Sequence, residues 1–288
     1  MAEISASAVM KLRTRSGQGM MDCKKALEEA AGDVDRAMEI LRKKGLATLA
    51  KRAERETSNG LVVSRIADGG RTGVLVSLCC ETDFVAKGAD FAATANLLAE
   101  YALACPADEG TDALLHTTRD GRAFQDILTE LVSKTGEKTV VGDYARFRLD
   151  GPGLITAYIH FNSKVGTMVQ LDVSDPKMAQ AEGIQRTMMD IAMHITASKP
   201  LALDKSGIDP EVIERERAVY AEQVKNKPAE IVNRIVDGKM GKFFAENCLL
   251  EQPFVKDDSK TVRQVLTEAA KAAGGTATIK RFARFEVG

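Results

Sequence analysis

Residues 61–78 realign on residues 154–171 at a constant offset of 154 − 61 = 93, and no other feature restricts the fold of this 288-residue chain so sharply. The first copy, LVVSRIADGGRTGVLVSLCC, reads as two apolar strands joined by a turn at Asp68-Gly69-Gly70. A helical run, DFAATANLLAEYALA, follows and is stopped by Pro106. At this offset GRTGVLVSL falls on SKVGTMVQL and Gly73 on Gly166, while AEYALACP matches MHITASKP at 200 − 106 = 94. Turn, glycine, strand and helix end agree in order, which is the mark of an internal duplication. The expected core is two similar α/β halves packed together.

Around that core the hydrophobic period marks out an α+β chain of further units. Residues 1–57 form an N-terminal helical domain and connector, helical from residue 4 onward. In GDVDRAMEILRKKG, Asp33 suits an N-cap, Val34, Ala37, Met38 and Leu41 share one face, and Gly45 suits the position just past the helix end, as Gly32 does for the preceding helix. With the first helix this makes a three-helix bundle, followed by the charged connector LATLAKRAERETSNG. Residues 58–150 are the first core half, where FQDILTELVSKTGEKTVVGDYARFRLDG adds a helix and a strand, and residues 151–204 begin the second half. Residues 205–247 read as a helical hairpin broken at Asn226-Lys227-Pro228, with one apolar stripe per helix (Val212, Val219, Val224; Ile231, Ile235, Val236). Residues 248–288 return to the core, where Ile279, Phe282 and Phe285 suit a final strand.

Charge bears on partners. Forty basic residues against 41 acidic ones leave a net charge of −1, which argues against a surface built to neutralise nucleic-acid phosphates. The first residues lack an apolar leader core, and no window approaches the ~18 apolar residues of a membrane span, so a cytoplasmic protein is expected. Cys23, Cys79, Cys80, Cys105 and Cys248 show no CxxC spacing and read as reduced, mostly buried thiols. No phosphate-binding glycine motif occurs, and His116, His160 and His194 lie too far apart for local metal spacing. Hence no cofactor, metal, direct nucleotide binding or catalytic residue is expected. His194, in MDIAMHITASKP, reads as a packed core residue.

Two short stretches stand out as surface features. In ETDFVA an acid and a bulky ring, Asp83 and Phe84, occupy a strand-to-helix join where small polar residues are usual. Thr82 or Asp83 can cap the helix, and Phe84 is either a staple packed inward or a ring displayed outward; the pattern leaves both open. In SGQGMMDCKKAL the neighbours Met20 and Met21 cannot share one narrow face, so either one serves the bundle core or one is a soft contact for a partner.

The stretches LRTRSGQGMMDCKKALEEAAGDVDRAMEILRKKG, ETDFVAKGADF, HITASKP, EQPFVKDDSKTV and RFARFEVG, in this order, resemble the bacterial elongation factor Ts family along nearly the whole chain. The resemblance implies a ubiquitin-associated-like N-terminal domain, a duplicated core with an inserted helical hairpin, and guanine-nucleotide exchange on elongation factor Tu in which no bond is made or broken. It implies that Asp83 and Phe84, flanked by Thr82 and Val85, enter the partner near its Mg²⁺ site. It further implies that Arg13, Met20 and Met21 grip a helix of the GTPase domain and that His160 touches the partner's third domain. The loop bearing His160 is one residue longer than the family form, and some relatives continue past FEVG into a further helix, so affinity is expected to rest on the remaining contacts. The rival expectation is a ubiquitin-associated-like adaptor that binds a helical partner without exchange.

Overall fold

In the computed structural model, which describes residues 4–226 and 228–288, the duplicated segments are two three-stranded antiparallel sheets stacked face to face. The chain opens with α1 (Ala6–Ser16), α2 (Met20–Glu29) and α3 (Val34–Lys51). The first half follows with β1 (Asn59–Ala67), β2 (Thr72–Cys80), α4 (Asp83–Ala86), α5 (Ala89–Ala104), α6 (Thr111–His116), β3 (Thr118–Arg119), β4 (Arg122–Ala123), α7 (Phe124–Thr135) and β5 (Thr139–Arg148). The second half holds β6 (Gly153–Ile159), β7 (Val165–Val173), α8 (Glu182–Ser198), the hairpin helices α9 (Pro210–Glu222) and α10 (Ala229–Asn247), then β8 (Pro253–Phe254), β9 (Asp257–Thr261), α11 (Val262–Ala272) and β10 (Ala277–Glu286). This is an α+β architecture with an N-terminal helical region. Of the expected break at Asn226-Lys227-Pro228, Lys227 lies outside the described residues.

The strand orders are β1-β2-β5 and β6-β7-β10, so each half places its second strand in the centre. Strands β2 and β7 show the same burial along their length, as central strands covered on both faces must. Alternation sorts their side chains. Val74, Val76 and Leu78 join Phe91, Leu98 and Leu128 under α5 and α7, and Val169, Leu171 and Val173 join Ile184, Ile191 and Leu266 under α8 and α11. The intervening residues face the other sheet, where Val62, Leu75, Ile155 and Met168 fill the space between the halves. Gly73 and Gly166, matched by the repeat, lie on this inner face. A Cβ on Gly73 would sit 2.6 Å from Ile155 Cγ2, and one on Gly166 would sit 2.7 Å from Val62 Cγ1. The glycines let the two sheets approach.

The duplication extends further than the offset of 93 reveals. Leu128-Thr129-Glu130 falls on Leu266-Thr267-Glu268 at 266 − 128 = 138, Gly136 on Gly274, and Ala145-Arg146-Phe147 on Ala283-Arg284-Phe285. Helix α7 with β5 therefore corresponds to α11 with β10, and both linking glycines take positive φ, +71° and +82°. The extra 138 − 93 = 45 residues are taken up mostly by the α9–α10 hairpin. Strand β10 carries Ile279, Phe282 and Phe285 back alongside β7.

The N-terminal helices pack on Val9, Leu12, Cys23, Leu27, Ala37 and Leu41. Asp33 caps α3, accepting from the N–H groups of Asp35 and Arg36 at 2.9 and 3.0 Å. The sequence expectation for Gly45 fails: α3 continues through it to Lys51. Its role is close approach. A Cβ there would lie 2.6 Å from the Thr129 carbonyl oxygen and 3.0 Å from Ser133 Cβ, so Gly45 is where α3 seats on α7. Around it Ser133 Oγ donates to the Leu41 carbonyl (3.2 Å), Gln18 Nε2 donates to the Glu130 carbonyl (3.3 Å), and Arg42 pairs with Asp126.

Candidate functional site

At the end of β2 the chain turns outward through Glu81 and Thr82 into the single turn α4. Thr82 is the N-cap: its extended backbone starts the turn and its Oγ1 accepts from Val85 N–H at 3.4 Å. Asp83 follows at the first helical position and pairs with Lys87 at 2.7 Å; hydrogen bonding and charge from that ammonium hold its carboxyl below the usual carboxylate range. The turn ends at Lys87-Gly88, so α4 stands apart from α5, which covers the helical run expected from Asp90.

Within α4 the apolar side chains divide. Ala86 is buried and Val85 packs on the core beneath, whereas Phe84 is 84% exposed. The alternative left open by the sequence is thereby resolved: Phe84 is displayed, and no staple forms. Behind it, burial and then the Glu137 carboxylate push the Cys80 thiol up to about 12, so this thiol stays protonated and inert.

A second ring stands out at the same end of the core. The turn between β6 and β7 presents Phe161, 89% exposed, against His160 with ring centroids 4.5 Å apart. His160 is half-buried, its Nδ1 3.1 Å from the Tyr158 hydroxyl. Strand β1 ties both tips together: Val62 N–H donates to the Ser163 carbonyl at 2.7 Å, and Asn59 Nδ2, three residues earlier, donates to the Glu81 carbonyl at 3.1 Å. Sequence reading overlooked Phe161. Its signal was a large ring in the polar hairpin turn HFNSK, where nothing local could cover it.

The remaining expected residues lie on the N-terminal bundle. Arg13 is exposed on α1, while Met20 (42% exposed) and Met21 (63% exposed) open α2 just across the Gly17–Gly19 turn. Neither methionine belongs to the bundle core, whose α2 members are Cys23, Ala26 and Leu27. His194, by contrast, is fully buried: its Nδ1 accepts from Val255 N–H (3.1 Å), which leaves Nε2 to donate to Gln252 Oε1 (2.8 Å).

Among the described residues, no group of three or more His, Cys, Asp or Glu is placed to hold a metal, and no helix is long and apolar enough to cross a membrane. The fold and this surface define an α+β protein whose most exposed large hydrophobic side chains, among the described residues, are aromatic tips on a doubled core. The family model described as elongation factor TS matches residues 81–288. The chain is 42% identical over 287 residues to the elongation factor Ts of Nitratiruptor sp., covering 99% of this chain and 93% of that protein. It is 41% identical over 293 residues to that of Chlorobium phaeobacteroides, covering all of both chains. It is 40% identical over 290 residues to that of Clostridium botulinum, covering 99% of this chain and 93% of that protein. The chain belongs to the elongation factor Ts family and is a translation elongation factor.

Proposed function

We propose that this chain is a cytoplasmic guanine-nucleotide exchange factor that binds elongation factor Tu loaded with GDP and speeds release of the nucleotide. The observation that carries the reading is the geometry of Phe84: a large ring exposed on a short turn whose flanking residues, Thr82 and Val85, are tied to the core. Asp83 and Phe84 enter the partner beside its Mg²⁺ and phosphate site, and Arg13, Met20 and Met21 hold a helix of its GTPase domain. His160 meets the third domain. The work divides among residues 1–57 for grip, the halves 58–150 and 151–204 with 248–288 for the tips, and the hairpin 205–247. The free energy comes from differential binding: a factor that prefers the nucleotide-free GTPase must weaken nucleotide affinity by the same factor, and no covalent step is needed.

The test is release of a fluorescent GDP from purified elongation factor Tu with and without this protein. Acceleration that rises with factor concentration and saturates is expected. Complex formation without acceleration would leave a helical adaptor and defeat the exchange reading.

A further inference from the structure

A helix of four residues cannot fix its own orientation, because one turn has too few internal hydrogen bonds to offset the cost of nucleation. The direction in which Phe84 points must therefore be imposed from outside α4. Thr82 N–H donates to Glu137 Oε2 at 3.0 Å, and Thr82 Oγ1–H donates to Glu137 Oε1 at 2.7 Å. Both oxygens of one carboxylate are thus spent on the residue that caps the turn. Charge-assisted bonds of this kind are the strong ones.

Glu137 is far from the tip in sequence, 137 − 82 = 55 residues on. It is placed by Gly136, whose φ of +71° closes α7 and aims the following residue back at the end of β2. Next to it the Glu81 carboxylate receives Lys138 N–H at 2.7 Å and Arg52 at 2.7 Å, the latter from the segment that leaves α3. The link between α7 and β5 therefore grips the root of the tip at two consecutive residues. Val85 and Ala86 already seat α4 on the core, so the two bonds to Glu137 add a fixed direction at Thr82 to an attachment that packing provides. They remove the swing of Thr82 that would let Phe84 wander.

We propose that Glu137 is a positioning residue for exchange: its carboxylate, acting through Thr82, sets the angle at which Phe84 leaves the core. The proposal rests on the reading of Phe84 as an inserted ring. Its consequence is a separation of effects. Gripping residues elsewhere set how tightly the factor binds, while Glu137 sets how well the bound factor displaces nucleotide.

Stopped-flow GDP release from elongation factor Tu, measured against concentration of the full-length factor, tests this. Glu137→Ala is expected to lower the saturating rate about tenfold or more, the scale of losing hydrogen bonds to a charged group, with the half-saturating concentration unchanged. Glu137→Gln, which keeps one acceptor oxygen, should fall between Ala and wild type. Thr82→Val, which loses the bond to Glu137 Oε1 and the cap on Val85 N–H but keeps the backbone bond to Oε2, should also lower the saturating rate, and Thr82→Ser, which keeps the hydroxyl, should be faster than Thr82→Val; Glu137→Gln carries the test if Glu137→Ala does not fold. The double variant Phe84→Ala/Glu137→Ala should be no slower than Phe84→Ala alone. A normal saturating rate for Glu137→Ala beside a slow Phe84→Ala overturns the positioning role and leaves the exchange reading standing, as do losses that multiply in the double variant. A normal rate for Phe84→Ala itself overturns the inserted-ring reading and this inference together.

Discussion

Replacing Phe84 by alanine separates display from packing. With 84% of the residue exposed, 100 − 84 = 16% of it is covered by the protein. A fully buried Phe→Ala change costs about 3–5 kcal/mol, so scaling by the covered share gives roughly 0.5–0.8 kcal/mol. In a chain of this length ~1 kcal/mol shifts the melting temperature by ~2–4 °C, and the expected loss is therefore about 1–3 °C. Against the partner the ring is a candidate anchor, and such aromatic anchors are worth ~2 kcal/mol or more, about a thirtyfold effect. Both quantities are read from the same Phe84→Ala sample, by stopped-flow GDP release and by thermal unfolding. A wild-type release rate would refute the reasoning, and so would a melting shift large enough to account for the lost activity by unfolding.

Met20→Ala with Met21→Ala should weaken the complex by about 2 kcal/mol in a titration and leave the bundle folded, because neither side chain is in its core. Gly45→Ala gains ~1 kcal/mol of helix propensity, but its Cβ meets the Thr129 carbonyl at 2.6 Å. The backbone neighbour cannot rotate away, so a net loss of about 1–3 kcal/mol is expected, seen as a lower melting temperature and faster hydrogen exchange along α3 and α7. Burial lowers the His194 pKa, partly offset by Gln252, so the unfolded chain takes up its proton first as pH falls. Stability should thus decline below about pH 6.5, where the unfolded histidine titrates, and that slope should flatten in His194→Gln when melting is followed against pH.

How far the fold was legible depended on whether a signal was local. The strands and turn of each half are short-range patterns, and Gly73 with Gly166 fixed their alignment. The α7–β5 and α11–β10 repeat is at least as clear by residue, yet the hairpin moves its offset from 93 to 138, so a comparison held at one spacing loses it. Gly45 was misjudged because a glycine required by a neighbouring helix looks identical to one that ends its own. For Phe84 the capping pattern is the same whether the ring packs inward or outward, and only the tertiary neighbours decide. Glu137 left no trace at all near ETDFVA, since its link to Thr82 crosses 55 residues. Phe161 could have been noticed as an uncovered ring in a polar turn.

The insertion of the hairpin also has a meaning in time. Strand β5 joins β2 after 139 − 80 = 59 residues, whereas β10 joins β7 after 277 − 173 = 104. The added loop-closure cost is only ~0.5 kcal/mol, but a chain emerging from the ribosome at ~5–20 residues per second meets a delay that equilibrium arithmetic hides. The first sheet has all its strands once Arg148 is out, and the second waits until Glu286, 286 − 148 = 138 residues or roughly 7–30 seconds later. Pulse-labelled hydrogen exchange on stalled nascent chains should find β5 protected while β7 is still open on the side that β10 will cover. Through that interval a factor that serves translation depends on its own translation being completed before the unpaired edge of β7 finds another strand.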